Sequence, residues 1–242
     1  LDEKSAIYIA PKLNSKNAKE EINLVEVDYI KMLFSSLKYL ETSDEMNDLF
    51  EIKWNKPAIE IKQAQDLLTP LLVIQYLNLV KAIVRKGLKK TYYKVEHNLN
   101  SRVKGKVLVG KTIKQNIVKN KQLYTYCNYD EFGVNGLENR LLKKALVFIK
   151  RYLPTFDKLN HNDFTTDLFN YITPAFENIS EEVELNEIKH SKTNAFYKEY
   201  SEATRLAKLI LKRFGYNISN TEKSTIATPP FWIDMSKLFE LY

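Results

Sequence analysis

Residues 123–152, LYTYCNYDEFGVNGLENRLLKKALVFIKRY, switch periodicity once, and that switch limits the possible folds more than any other stretch. Up to Phe132 the segment is aromatic and alternating, as in a strand, with Tyr124, Tyr126 and Asn128 on one face and Thr125, Cys127 and Tyr129 on the other. Gly133, Asn135 and Gly136 interrupt it with turn chemistry. From Leu137 the apolar residues Leu141, Leu142, Ala145, Leu146 and Ile149 recur mainly three and four apart, as on one face of a helix. Lys150 and Arg151 fall late in that helix, where cations suit the negative end of its dipole. Asn135 is the predicted N-cap, with Glu138 three places on in capping-box spacing. A strand should therefore pass through a tight turn into a long amphipathic helix.

The polar residues of this unit admit two readings. Asp130 and Glu131 at a strand end have the chemistry of metal or acid–base carboxylates, but no second carboxylate and lysine follow at strand spacing. Asp130, Glu131, Asn139 and Arg140 are therefore read as structural, serving turns, caps and hydrogen bonds between elements.

On either side of this unit, local patterns predict an α+β fold, helix-rich with a small antiparallel sheet. Strands are expected near 6–11, 88–97, 102–109 and 123–132, with 88–97 and 102–109 paired through a connection at 98–101. Helices are expected over 25–40, over most of 59–85 with Pro70 starting or kinking it, and over a short stretch at 111–118. After the central helix, others should span 163–178, 193–214 (closed by Gly215) and 233–242, with a polar loop at 219–228. Two regions suggest themselves: residues 1–132, with the small sheet, and residues 133–242, mainly helical.

Composition narrows the function classes. Only six glycines in 242 residues disfavour a turn-rich all-β sandwich. A single cysteine, Cys127, leaves no intrachain disulfide and no cysteine-rich zinc site, as fits a reducing cytoplasm. No apolar run looks as long as a membrane span, so no membrane association is expected. The net charge of +7 is concentrated between Lys81 and Lys121, where Glu96 alone is acidic. Such a block points to a polyanion or an acidic protein surface, or to a solvated basic face with no specific partner. The binding candidates within it are Arg85, Lys86, Arg102, Lys104, Lys106 and Lys111.

Catalytic motifs are sparse. There is no glycine-rich phosphate loop, and His97, His161 and His190 lack metal-ligand spacing. The residues by themselves support a binding module with a basic face, with no metal site and no cofactor of its own.

Five segments in order, IAPKL (9–13), VRKGL (84–88), RVKGKVLVGKTI (102–113), YDEFGVNGLENRLLKKAL (129–146) and IDMSKLFELY (233–242), resemble the McrC family. These are the nuclease subunits of modification-dependent restriction systems of the McrBC kind. The resemblance implies a front region that docks into a ring of the McrB AAA+ GTPase and stimulates its GTP hydrolysis. It also implies a PD-(D/E)xK endonuclease domain, with its Mg²⁺, beyond the segment that resembles 233–242. The proline–aspartate and D-A-K-type motifs of that domain are absent here, and the missing initial Met and abrupt apolar end suggest a piece of a longer protein. GTP then belongs to the partner, and DNA is met through the full complex. The alternatives from other classes are a stand-alone basic DNA-binding module and a catalytically complete nuclease.

Overall fold

The most apolar run of the chain becomes its central helix. In the computed structural model, which describes residues 29–36, 49–53, 55–62, 68–153, 163–184, 198–219 and 225–242, this run is helix α2 (Leu68–Lys86). Around it are helices α1 (Tyr29–Ser36), α4 (Leu137–Tyr152), α5 (Asp163–Ile172), α6 (Lys198–Ser219) and α7 (Met235–Leu241), with a four-residue helix α3 (Val109–Thr112) set apart. The strands are β1 (Phe50–Ile52), β2 (Ile59–Lys62), β3 (Thr91–Asn100), β4 (Lys106–Val107), β5 (Tyr124–Gly133), β6 (Thr225–Thr228) and β7 (Phe231–Ile233). The fold is α+β, helix-rich with small antiparallel sheets, as the local patterns predict. The strand expected at 6–11 lies outside the described residues.

Pro70 sits in the first turn of α2, where its missing N–H deprives the helix of nothing, because the first four amides have no partner inside the helix. Leu71, Leu72, Ile74, Tyr76, Leu77 and Val80 are all buried. The Tyr76 hydroxyl donates to the Leu142 carbonyl of α4 at 2.7 Å, and burial pushes its pKa well above the usual 10.0. The expectation that no apolar run reaches the length of a membrane span needs correcting: α2 is long and apolar enough by length and composition. Gln75 and Asn78 break its contiguity in sequence without lowering its average hydropathy below a span's, and 72% of the apolar window is buried inside this fold.

Helix α6 packs on both α2 and α4, and α5 and α1 close the other side of α2. Leu33, Leu141, Leu142, Ile149, Ile172, Leu206, Ile210 and Leu238 join the α2 residues in one core, so residues on both sides of position 132 contribute to it. α6 runs through Gly215 to Ser219 rather than stopping there. An interior glycine costs a helix only about 1 kcal/mol against alanine, and propagation on either side carries the helix across it.

Two short strand pairs replace helix and loop expected from sequence. Residues 59–62, read as the start of a helix, form β2 and pair antiparallel with β6, which lies in the presumed loop. Phe231–Ile233 forms β7 against β1, so the last helix starts only at Met235, where the Asp234 side chain caps it by accepting from the Lys237 amide at 3.1 Å. IEIK and TIAT are β-branched but too short to show a period, and their partners lie far along the chain, where local patterns cannot reach.

The third sheet has the order β3-β5-β4, which corrects the expected pairing of 88–97 with 102–109. All ten residues of β3 pair with β5, from Thr91↔Gly133 to Asn100↔Tyr124. Only Lys106 and Val107 of the 102–109 segment are strand, and they pair with Asn128 and Cys127 on the opposite edge of β5. Gly105 explains why that segment cannot extend further: its φ is +66°, and a Cβ there would lie 2.5 Å from the Asn128 carbonyl oxygen and 2.6 Å from Tyr129 Cβ. β5 runs as one strand through Tyr124–Gly133 and is the middle strand because both its edges are paired, to β3 and to β4.

Candidate interaction surface

β3, β5 and the elements between them form an arm outside the helical body. None of the buried residues of the main core falls between Thr91 and Gly133. The arm has a small interior of its own, made of Leu99, Cys127 and the amide of Asn116. At a rise of about 3.3 Å per residue, ten paired residues make it roughly 30 Å long.

One face of the arm carries α3 and the π-helical turn Ile113–Ile117 that continues it. Polar groups fasten this segment to the sheet. Asn98 and Asn116 exchange amide hydrogen bonds at 3.1 and 2.8 Å, Asn116 also donates to the Tyr124 carbonyl at 2.9 Å, and Thr112 Oγ1 accepts from the Tyr126 amide at 3.0 Å. Lys111 pairs with Glu96 and lies 4.9 Å over the Tyr126 ring; the Glu96 carboxylate holds its ammonium above the usual pKa.

Fastened through its polar side, the segment leaves its apolar side uncovered. Val109, Ile113 and Ile117, spaced four apart, are 61%, 47% and 52% exposed, and Val118 and Leu123 are more so. Such a stripe on a helix is ordinarily what a protein buries. Exposed cations border it in sequence: Lys114, Lys119 and Lys121, with Arg102 and Lys104 on the segment leading to β4 and Lys106 in β4 itself. Lys104 sits 4.1 Å over the Tyr129 ring. On the strands, the Tyr92 and Phe132 rings lie 5.0 Å apart, tilted by 48°, and are largely exposed.

The residues singled out in sequence thus fall into separate groups. Arg102, Lys104, Lys106 and Lys111 belong to the arm, whereas Arg85 and Lys86 end α2 at the other end of β3, with Lys86 paired to Glu199 of α6. Asp130 and Glu131, adjacent in an extended strand, face opposite sides of the sheet, Asp130 across from Lys94 and Glu131 across from Tyr93. Burial, and then Glu131, raise the Tyr93 pKa. No group of three or more potential metal ligands occurs among the described residues. Sequence reasoning missed the apolar stripe, although its i, i+4 spacing was visible; what sequence cannot show is that no described residue covers it.

The root of the arm is where the other motif residues gather. Asn139 is buried and donates to the Val134 carbonyl at 2.7 Å and the Lys89 carbonyl at 2.9 Å, while its oxygen accepts from the Tyr200 hydroxyl at 2.8 Å. That hydroxyl in turn accepts from the Lys89 amide at 2.7 Å. Arg140 Nε donates to both oxygens of Asn135, and its guanidinium lies 6.0 Å from the Tyr93 ring. Asn135 is not the cap of α4: Gly136 occupies that position, and the Asn135 side chain is engaged by Arg140 and by the Ser180 amide. Glu138, expected to complete a capping box, instead pairs with Lys89 at 2.7 Å. Gly136 lies close to Thr91: a Cβ there would meet Thr91 Oγ1 at 2.2 Å, so a larger residue would have to turn that hydroxyl away.

A helical body bearing a basic sheet arm with an uncovered apolar stripe has the features of an interaction subunit. The particular affiliation follows from comparison: residues 1–242 match the family model of the McrBC 5-methylcytosine restriction system component, and the chain belongs to that family. Its kin are thus components of McrBC-type restriction systems. Among solved structures, a chain in the cryo-EM structure of the Thermococcus gammatolerans McrBC complex is similar at 16% identity and a TM-score of 0.39. The match covers 88% of this chain and 57% of that one, so this chain spans little more than half of its length. No curated protein matches it.

Proposed function

We propose that the chain is the docking part of a McrC-like subunit, which engages a McrB-type AAA+ GTPase oligomer through the arm and stimulates its GTP hydrolysis. The observation that carries this reading is the uncovered stripe of Val109, Ile113 and Ile117 in a setting of lysines. An apolar surface of this kind fits a protein partner, and the cations around it fit acidic groups or bound phosphates on that partner. The chain needs no nucleotide or metal of its own for this role. GTP resides on the partner, Mg²⁺ in a nuclease domain of the whole protein, and the complex works on DNA in the cytoplasm.

The test is GTP turnover by the cognate AAA+ subunit, with and without the chain, alongside a binding measurement. Replacing Arg102, Lys104 and Lys106 together by Ala should keep the fold, since surface changes each shift stability by about half a kcal/mol or less. The same change should reduce stimulation or complex formation. Full stimulation by the folded triple variant removes these cations from the mechanism.

A second reading, a DNA-binding module, draws on the exposed Tyr92–Phe132 pair beside the lysines, which suits stacking of unpaired bases. Binding of that kind weakens steeply with salt when phosphates supply most of it. Salt-sensitive binding of single-stranded DNA by the isolated chain, lost on replacing Tyr92 and Phe132 by Ala, would favour this reading over docking.

A further inference from the structure

The residues that the sequence motif gathers at the arm's root do not face the apolar stripe or the lysines, and their arrangement suggests a separate task. Lys89 lies in the short connection between α2 and β3, so its backbone is where the arm leaves the body. Tyr200, from α6, and Asn139, from α4, grip that one residue from both sides. The Lys89 amide donates to the Tyr200 hydroxyl, the hydroxyl donates to Asn139 Oδ1, and Asn139 Nδ2 donates back to the Lys89 carbonyl. The ring of hydrogen bonds closes on itself, and the Val134 carbonyl, where the arm returns from β5 to α4, accepts from the same Asn139 nitrogen. Both strands of the arm are thus pinned by one amide side chain. Glu138 adds an ion pair to the Lys89 side chain at the rim.

We propose that Tyr200 and Asn139 are positioning residues: they lock the direction of the arm relative to the helical body, so that a partner held at the arm's far end is presented at a fixed orientation to the body. The function rests on the docking reading above; the mechanical part does not. Tyr200 and Asn139 are almost wholly buried and touch no surface a partner could reach, so they act through Lys89 and Val134. Linked hydrogen bonds in such a setting reinforce one another, and loss of one member loosens the rest. A loosened root leaves the docking surface intact and frees its angle.

The discriminating variant is Tyr200→Phe, which deletes the hydroxyl and keeps the ring. Spin labels on cysteines introduced at Lys121, on the arm, and Lys212, on α6, report the arm-to-body distance; both positions are exposed, and the native Cys127 thiol is fully buried. The distance distribution should be narrow in the parent chain and clearly broader in the variant, with far-UV circular dichroism unchanged. With the AAA+ partner, maximal stimulation should fall about three- to tenfold while the half-saturating concentration moves less than about twofold. A merely structural residue would leave the distance distribution alone in whatever fraction folds. Should Tyr200→Phe not fold, Glu138→Gln loosens the same residue from the rim and is measured in the same way. An unchanged distribution in a folded variant overturns the lock. A broadened distribution with full stimulation overturns its role in activation, and absence of stimulation by the parent chain overturns the docking reading while the distances still decide the lock.

Discussion

The helical body and the sheet arm solve opposite problems with the same kinds of residue. In the body, Leu, Ile and Tyr at helical spacing are fully enclosed, and α2 is apolar around most of its circumference because α1, α5 and α6 pack on it and its Tyr76 reaches α4. In the arm, Val109, Ile113 and Ile117 have helical spacing too, yet they remain in solvent, and the arm's cohesion comes from strand pairing and from Asn98, Thr112 and Asn116. The difference teaches that one apolar stripe can be core or contact surface, according to whether the rest of the chain supplies a cover.

That contrast can be broken at the body first. Leu72→Ala, at a wholly buried site in α2, should cost about 2–5 kcal/mol and lower the melting temperature of the whole described fold. A variant with unchanged melting would show that α2 is not the centre of the core. Alkaline titration acts on the same transition. Because burial raises the Tyr76 pKa above 10.0, the neutral phenol is the form the fold favours, so its contribution is complete below pH 10 and is lost as pH rises beyond it. Tyr76→Phe should flatten that alkaline loss, which denaturant melts at a series of pH values will check.

The arm should respond more locally. Gly105→Ala forces a side chain into the Asn128 carbonyl at a positive φ and should cost about 1–3 kcal/mol. Amide exchange should quicken at β4 and the adjoining part of β5 while α2 and α4 stay protected; uniform loss of protection would mean that arm and body unfold as one unit. Smallest in stability is Ile113→Ser with Ile117→Ser, at about half a kcal/mol or less each. If the stripe docks a partner, this pair should still raise the half-saturating concentration for GTPase stimulation about tenfold or more. An unaltered titration would return the stripe to the status of ordinary exposed surface.

How far the sequence carried the structure depended on the range of the forces involved. The strand, turn and helix of 123–152 were legible because periodicity is local, whereas the start of α2 was not fixed, since Pro70 allows a helix to start, break or kink and residues 59–62 were read as helix. The capping role given to Asn135 failed through tertiary competition, since Arg140 and Ser180 take its side-chain oxygen. β6 and β7 were missed because four and three residues carry no period and their partners are remote. Of the candidate surface, the cations were plain as composition; the stripe beside them could be spelled out but not known to be bare. Asn139 was read as a structural hydrogen-bonding residue, but its partners, Lys89 and Tyr200, lie too far apart in the chain for any motif to join them.

The pairing of β1 with β7 and of β2 with β6 bears on how this protein is made. Residues 50–62 leave the ribosome well before the strands they need, at 225–233, and closing so long a loop is slow compared with forming a local hairpin. The arm, whose two long strands lie within 91–133, can zip up while the remainder is still being synthesised. During that interval β1 and β2 are unpaired edges on an unfinished chain. Synthesis of residues 225–233 therefore ends the period of greatest exposure to wrong strand partners, and a chain cut short before them would be left with those edges permanently open.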